Sequence, residues 1–455
     1  MSASRNEERE IGRKISRRGF LTRGVGVASC ASLALSTRTH SAFAKAGAAA
    51  DAPIDPGYFA SQFYDNREEA ALHDVLETGS SFRFWGPTQP RKVKAFEEEF
   101  AKYMGAKYAL GVTSGTAALD CAVAGLGIGP GDEVIVPAYT WWSDYTCVVH
   151  AAALPVFAEI DRSFGLDPED FARKITPRTK AVIAVHLLGG PCDMDPIIET
   201  ARKHKVAVLE DAAQCVGGSY KGRKLGAIGD VGIYSFQLNK MISSGEGGAV
   251  VTDNPLIYER AVRFHNMGGL AGVFAERLGK GQVGTFAGEN FRMNEFTGAV
   301  LGAQLPKLDT MIAGLQRAAK AVADGIKDLP GVRFRKQPDP NGDLGYAVYL
   351  EMANKEARNR CISGLREKGI PAGTLSGSVM LPTEPAVVNK QTRHPNWPSF
   401  TSAEGRAIQY GAECCPQTLA IYDRFVQIRL GPKYTDRTVE RIIAAIREVY
   451  PKAAA

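Results

Sequence analysis

One lysine stands out for its surroundings. Lys240 lies in the stretch YSFQLNKMISSGEGGAVVT, Tyr234 to Thr252, between an apolar strand pattern (Asp230 to Phe236) and a Gly-rich turn that leads into another (Ala249 to Thr252). That spacing puts the side chain at the lip of a buried sheet. There desolvation disfavours the ammonium form, and a neutral amine can attack an aldehyde to form a Schiff base. The plainer reading is a solvated loop lysine, so the decision rests on what accompanies it.

Three further groups sit where strands end, the place α/β sheets offer ligands. Thr113-Ser114-Gly115-Thr116-Ala117 joins a strand to a helix; glycine lets the backbone approach an anion, and the helix start presents free N–H groups. Pro137-Ala138-Tyr139-Thr140-Trp141-Trp142 places aromatic rings directly after a strand, and one of the two tryptophans could stack on a flat ligand. Glu210-Asp211-Ala212-Ala213-Gln214 closes the apolar run Val206 to Leu209 with an acid that, once buried, needs a cation or several donors. With Ser235 and the turn Ser244 to Gly248 beside Lys240, these groups supply a phosphate cup, a stacking face, a partner for a pyridinium nitrogen and a Schiff-base lysine. That inventory suits pyridoxal 5′-phosphate (PLP).

The elements around these groups alternate. Strand patterns at 108–112, 133–137, 154–160, 181–186 and 206–210 are interleaved with helical ones at 117–126, 142–152, 168–174 and 195–204. Runs such as VIVP and AVIAV are continuously apolar, as in strands covered on both faces of a mostly parallel sheet. One long helix is predicted from Glu295 to about Lys327. A second unit follows, with strands at 347–351 and 425–430, helices at 355–368 and 436–449 (Asp436 as cap), and an irregular stretch from Thr374 to Pro416.

The chain has 455 residues and a net charge of +6, but its first 44 residues hold eight Lys/Arg against three Asp/Glu, leaving 47 against 46 in the remainder. The basic balance therefore gives no case for nucleic acid. The eight scattered cysteines, without C-x-x-C spacing, suggest neither a zinc site nor a disulfide framework. Ser16-Arg17-Arg18-Gly19-Phe20-Leu21, the apolar run Gly24 to Leu35 and Ala42-Phe43-Ala44 read as a twin-arginine signal peptide over 1–44, too short in its apolar part to span a bilayer. Lipidation at Cys30 is the weaker variant. Residues 45–57 read as a linker, and the expected location is periplasmic or exported, or cytoplasmic if the leader is not used.

In order along the chain, SGTAAL, VIVPAYTW, HLLGGPCDMD, EDAAQ, SFxxxKxxxSGEGG and GENFRMNEF resemble the DegT/DnrJ/StrS family of PLP-dependent sugar aminotransferases over roughly residues 55 to 450. Within it the chain is similar to the branch containing 3-amino-5-hydroxybenzoate synthase and glutamine:scyllo-inosose aminotransferase. The resemblance implies fold type I, with a mostly parallel seven-stranded sheet in a large domain (58–310) and a smaller C-terminal α/β domain (311–455). It implies Lys240 as the Schiff-base lysine, Asp211 as the pyridinium partner and Gln214 on the ring-hydroxyl side. Gly115, Thr116 and Ser235 would hold the phosphate, and Trp141, or else Trp142, would stack on the ring. Asn290 and Arg292 would reach the neighbouring subunit's cofactor in a homodimer with shared sites.

The expected activity is a ping-pong amino transfer from glutamate or glutamine to a keto-sugar or keto-cyclitol, with Lys240 as acid and base. One alternative is a PLP-dependent dehydratase or aromatising synthase of the aminohydroxybenzoate type. Another is an exported, non-catalytic ligand-binding homologue, against which the intact set of Lys240, Asp211 and phosphate cup argues.

Overall fold

The computed structural model describes residues 52–454. The expected twin-arginine leader, Cys30 and residues 45–51 of the expected linker lie outside the described residues. Residues 52–57 lie against the C-terminal part of the fold: the Ile54 N–H donates to the Gly369 carbonyl at 2.8 Å, and Arg441 donates to the Ala52 carbonyl at 2.5 Å.

The main sheet has seven strands: β1 (Tyr108–Val112), β2 (Glu133–Pro137), β3 (Leu154–Ala158), β4 (Thr179–Val185), β5 (Ala207–Asp211), β6 (Val231–Ser235) and β7 (Gly248–Thr252). Their order is β1-β7-β6-β5-β4-β2-β3. β7 runs antiparallel to both neighbours, and every other pairing is parallel. This is the mostly parallel α/β sheet that the continuous apolar runs predict; β2, β6 and β7 are buried along their whole length. Parallel register gathers the carboxyl ends of β4, β5 and β6 on one edge, with Val185 opposite Asp211 and Asp211 opposite Ile233. Helices α1 (Gly115–Leu126) and α2 (Trp142–His150) start from that same edge.

The single helix expected from Glu295 is interrupted. Glu295–Gln304 passes into a 3-10 turn at Leu305–Lys307, and a new helix runs from Leu308 to Asp324. Pro306 explains the break, since it has no N–H for the carbonyl four residues back and its ring crowds that turn. The buried Lys307 at this joint is held by Glu68 at 2.6 Å and by the Phe63 carbonyl at 2.7 Å. The domain boundary expected after residue 310 falls in the first turn of the second helix.

The second sheet is antiparallel, β8 (Ala347–Glu351), β9 (Ala372–Gly373) and β10 (Phe425–Arg429) in the order β8-β10-β9. It is accompanied by helices Lys355–Glu367 and Asp436–Ala454. The latter is capped by Thr435, whose hydroxyl accepts from the Thr438 N–H at 3.3 Å; Asp436, expected as the cap, is instead its first residue. The irregular stretch after Thr374 reaches back to the main sheet, where Val379–Met380 pairs with Tyr139–Thr140 and Trp397 donates to the Val149 carbonyl at 2.6 Å. Among the described residues no helix is long and apolar enough to cross a membrane.

Candidate active site

The carboxyl edge of the main sheet opens into a cleft of about 710 Å³. Six sequence-predicted residues line it together with Trp141: Gly115, Thr116, Asp211, Gln214, Ser235 and Lys240.

The cup is built where β1 turns into α1. Ser114, with extended backbone, caps the helix by accepting from the Ala117 N–H at 3.1 Å, so the first-turn N–H groups of Gly115 and Thr116 have no intrahelical acceptor. The helix therefore begins two residues earlier than its apolar pattern. Glycine is required at 115 by crowding, since a Cβ there would lie 2.8 Å from Ser235 Cβ. Gly248 serves the same junction from β7, where a Cβ would lie 2.2 Å from the Ser114 carbonyl oxygen. The Thr116 and Ser143 hydroxyls share a hydrogen bond of 2.6 Å. Hydroxyls and free N–H groups at a helix start make an anion site.

Lys240 follows β6 in a turn closed by its own N–H, which donates to the Gln237 carbonyl at 2.9 Å. Among the described residues its amine makes no hydrogen bond or ion pair. Burial lowers its pKa, while the charges of Asp211, Cys215, Asp144 and Glu246 oppose the shift. The lysine thus faces the cleft, with a larger neutral fraction than a solvated lysine has.

Adjacent acids at the end of β5 have opposite fates, because successive strand residues point to opposite faces. Glu210 is fully buried and satisfied by the protein: it accepts from the N–H groups of Gly226 at 2.8 Å and of Ile228 and Gly229 at 2.6 Å each, and lies 2.8 Å from His186 Nε2. The imidazole donates through that nitrogen, since its Nδ1 accepts from the Cys192 N–H at 3.1 Å. Asp211 is also buried, yet among the described residues it accepts only from the Ala213 N–H, at 2.8 Å. Burial pushes its carboxyl above the ordinary range, against the pull of that N–H and of Lys240. It is the acid left wanting a cation.

Of the two tryptophans, Trp141 lines the cleft and is 51% exposed, so its ring face is open to a flat ligand. Trp142 instead starts α2 and meets Tyr145 edge-on at 6.5 Å. Gln214 accepts from the Leu188 N–H at 3.1 Å and donates to the Gly377 carbonyl at 3.0 Å. Asn290 and Arg292 do not line the cleft of their own chain. Asn290 is exposed, while Arg292 donates to Asn266 Oδ1 at 2.9 Å and lies over Phe82.

Several residues here were invisible to sequence reasoning. Tyr58, Ser376, Gln427 and Arg429 come to the cleft from outside the main sheet, and no motif announces them. Among the described residues the Arg429 guanidinium pairs with no carboxylate, which leaves it free for an anionic part of a substrate. Beneath the cleft lies Asp144, wholly buried, with Oδ2 accepting from the Thr140 hydroxyl at 2.5 Å and Oδ1 without a partner among the described residues. Burial first and the Asp211 charge second push its carboxyl well above the ordinary range. No sequence signal marks it, since an acid in the first turn of a helix is ordinary.

PLP fits this set on the structure's own terms. The under-satisfied Asp211 suits a protonated ring nitrogen, the free N–H groups of Gly115 and Thr116 beside Ser235 suit a phosphate, and Lys240 is a basic amine without a partner among the described residues.

The sequence pattern of the DegT/DnrJ/EryC1/StrS aminotransferase family matches residues 64–447. A GDP-perosamine synthase of Vibrio cholerae is 36% identical over 267 residues, 58% of this chain and 70% of that protein. The 3-amino-5-hydroxybenzoate synthase of Amycolatopsis mediterranei is 36% identical over 319 residues, 68% of this chain and 79% of that protein. Among solved structures, DesV of S. venezuelae in complex with a ketimine intermediate superposes with a TM-score of 0.70 at 30% identity, covering 87% of this chain and 98% of that one. The chain belongs to the DegT/DnrJ/EryC1/StrS aminotransferase family and is a PLP-dependent aminotransferase of fold type I.

Proposed function

We propose that this enzyme moves the amino group of glutamate or glutamine to a keto-sugar or keto-cyclitol, using Lys240 and Asp211 as its working groups. The observation that carries the assignment is the convergence, in one cleft, of an unpaired buried-edge lysine, an under-satisfied aspartate and an anion cup. The relatives named for perosamine synthesis support a sugar as acceptor.

When bound, PLP supplies an aldehyde for an amine to hold and a ring that takes up the electron pair left on a substrate carbon. The chain's residues do the rest. The N–H groups of Gly115 and Thr116, with the Thr116 and Ser235 hydroxyls, bind the phosphate. Trp141 covers the ring, and Gln214 orients its hydroxyl edge. Asp211 would keep a proton on the ring nitrogen by charge pairing in a buried setting. Lys240, neutral for part of the time because burial lowers its pKa, takes the proton from the donor's Cα and returns it to the product.

Loaded enzyme given glutamate or glutamine without an acceptor should release one equivalent of 2-oxo acid per site, then stop until a keto-sugar is added. Continuous release, or none, would refute the ping-pong assignment. A second reading rests on the relative named for 3-amino-5-hydroxybenzoate synthesis. A product lighter than the substrate by one water, with no nitrogen gained, would favour it.

We further propose a homodimer in which Asn290 and Arg292 serve the partner's cleft. Their absence from their own cleft and the exposure of Asn290 support this, and a mixed-subunit assay separates it from two self-contained sites. Export is part of the same proposal. It is supported by Arg17 and Arg18 ahead of a short apolar run, and replacing both by lysine should keep the enzyme in the cytoplasm; unchanged export would sink the idea.

A further inference from the structure

The chain holds a second carboxyl behind the one expected to face the ring nitrogen, and the reaction as described does not use it. Asp144 lies in the first turn of α2, with no exposed surface. From the strand end before the helix, the Thr140 hydroxyl donates to Oδ2 at 2.5 Å. From the next turn of its own helix, the Cys147 thiol donates to the Asp144 carbonyl, not to the carboxyl. From the end of β5 comes Asp211, within hydrogen-bond reach, and from the turn after β6 the charge of Lys240. Oδ1 has no partner among the described residues.

Two ionised carboxylates cannot face each other in a buried site with no donor between them. One proton resolves the conflict and also gives the orphaned Oδ1 a partner. Its place follows from the surroundings. Asp211 already accepts from the Ala213 N–H, whereas Asp144 has no backbone donor and is the more enclosed. The burial-driven rise of the Asp144 carboxyl points the same way.

We propose that Asp144 is a positioning residue: it keeps its proton and donates it through Oδ1 to Asp211, holding that carboxylate ionised and aimed at the cofactor's ring nitrogen. The Thr140 hydroxyl fixes the rotamer that makes this possible. The arrangement resembles a carboxyl dyad with one shared proton, except that one member is hidden from substrate and works only through the other. It rests on the assignment of Asp211 proposed above, so the test includes readouts on the PLP-free chain.

Asp144→Asn keeps an N–H donor toward Asp211; Asp144→Ala removes it. In the PLP-free chain, infrared spectra of wild type at neutral pH should show a protonated carboxyl stretch that Asp144→Asn lacks. Thermal stability should separate the two further. A carboxyl whose folded pKa is raised costs stability as pH climbs from its unfolded value near 4, so Asn should gain on wild type between about pH 4 and 7 and match it below. In the loaded enzyme, Asn should bind PLP within about threefold of wild type, whereas Ala should bind about tenfold or more weakly and shift the pH titration of the visible band. Asn as damaging as Ala would overturn the proposal, as would a stability difference independent of pH. If no variant, wild type included, binds PLP while the infrared band persists, the assignment of Asp211 fails and the shared proton stands.

Discussion

Lys240→Ala should abolish amino transfer, lowering kcat/KM by about 10⁴-fold or more, because one change removes both the attachment point and the group that moves the proton. A positioned general base alone contributes roughly 10²–10⁴-fold, and the covalent step is lost in addition. The fold should survive, since the amine makes no hydrogen bond within the described residues and its loss opens no apolar cavity. Lys240→Arg sharpens the test. It restores a cation beside Asp211 and Asp144 but cannot lose its proton at working pH, so it should recover the charge balance and not the activity. Retention of more than roughly a tenth of wild-type turnover by either variant would remove Lys240 from the chemistry. The same variant tests the shared site. Mixed with Arg292→Ala it should regain about a quarter of wild-type activity, through hybrid dimers in which one of the two sites is whole; no recovery would make each cleft self-contained.

Asp211→Asn should separate binding from stability in an unusual direction. In the loaded enzyme it removes the anion that faces the protonated ring nitrogen. Breaking a buried pair from one side costs ~3–5 kcal/mol, so PLP affinity should fall by about 10²–10⁴-fold, measured by titrating the visible absorbance. In the PLP-free chain the sign reverses. The folded Asp211 carboxyl lies above its ordinary range because of burial. Its contribution is therefore intact below the unfolded value near 4 and is lost as pH rises toward the folded one. The asparagine variant has no such loss, so PLP-free Asp211→Asn should melt at or above the wild-type temperature at neutral pH, with the gap closing toward pH 4. A variant that melts lower at neutral pH while binding PLP normally would show that Asp211 is a structural acid like Glu210.

That contrast between neighbours marks the limit of what the chain's letters carry. The buried strands were legible almost to the residue: Tyr108–Val112 and Glu133–Pro137 coincide with their apolar runs, because a strand covered on both faces tolerates no polar interruption. Family membership and the order of the site motifs were legible for a related reason, since a phosphate cup, an acid and a lysine at successive strand ends are local patterns. The long helix after Glu295 was misjudged at Pro306, where an apolar periodicity continues through a residue that cannot donate.

What the sequence alone determined, then, was the set of candidate groups and the sheet that carries them. Which member of each adjacent pair lines the cleft was decided by tertiary structure: Asp211 and not Glu210, Trp141 and not Trp142. Strand alternation sends Glu210 and Asp211 to opposite faces, Trp142 turns into α2 directly after Trp141, and only the packing of the whole sheet says which side is the cleft. Asp144 and Arg429 depended on the fold still more. Each matters through a partner far away in the chain, or through the lack of one, and burial of a charge is a property of everything folded around it.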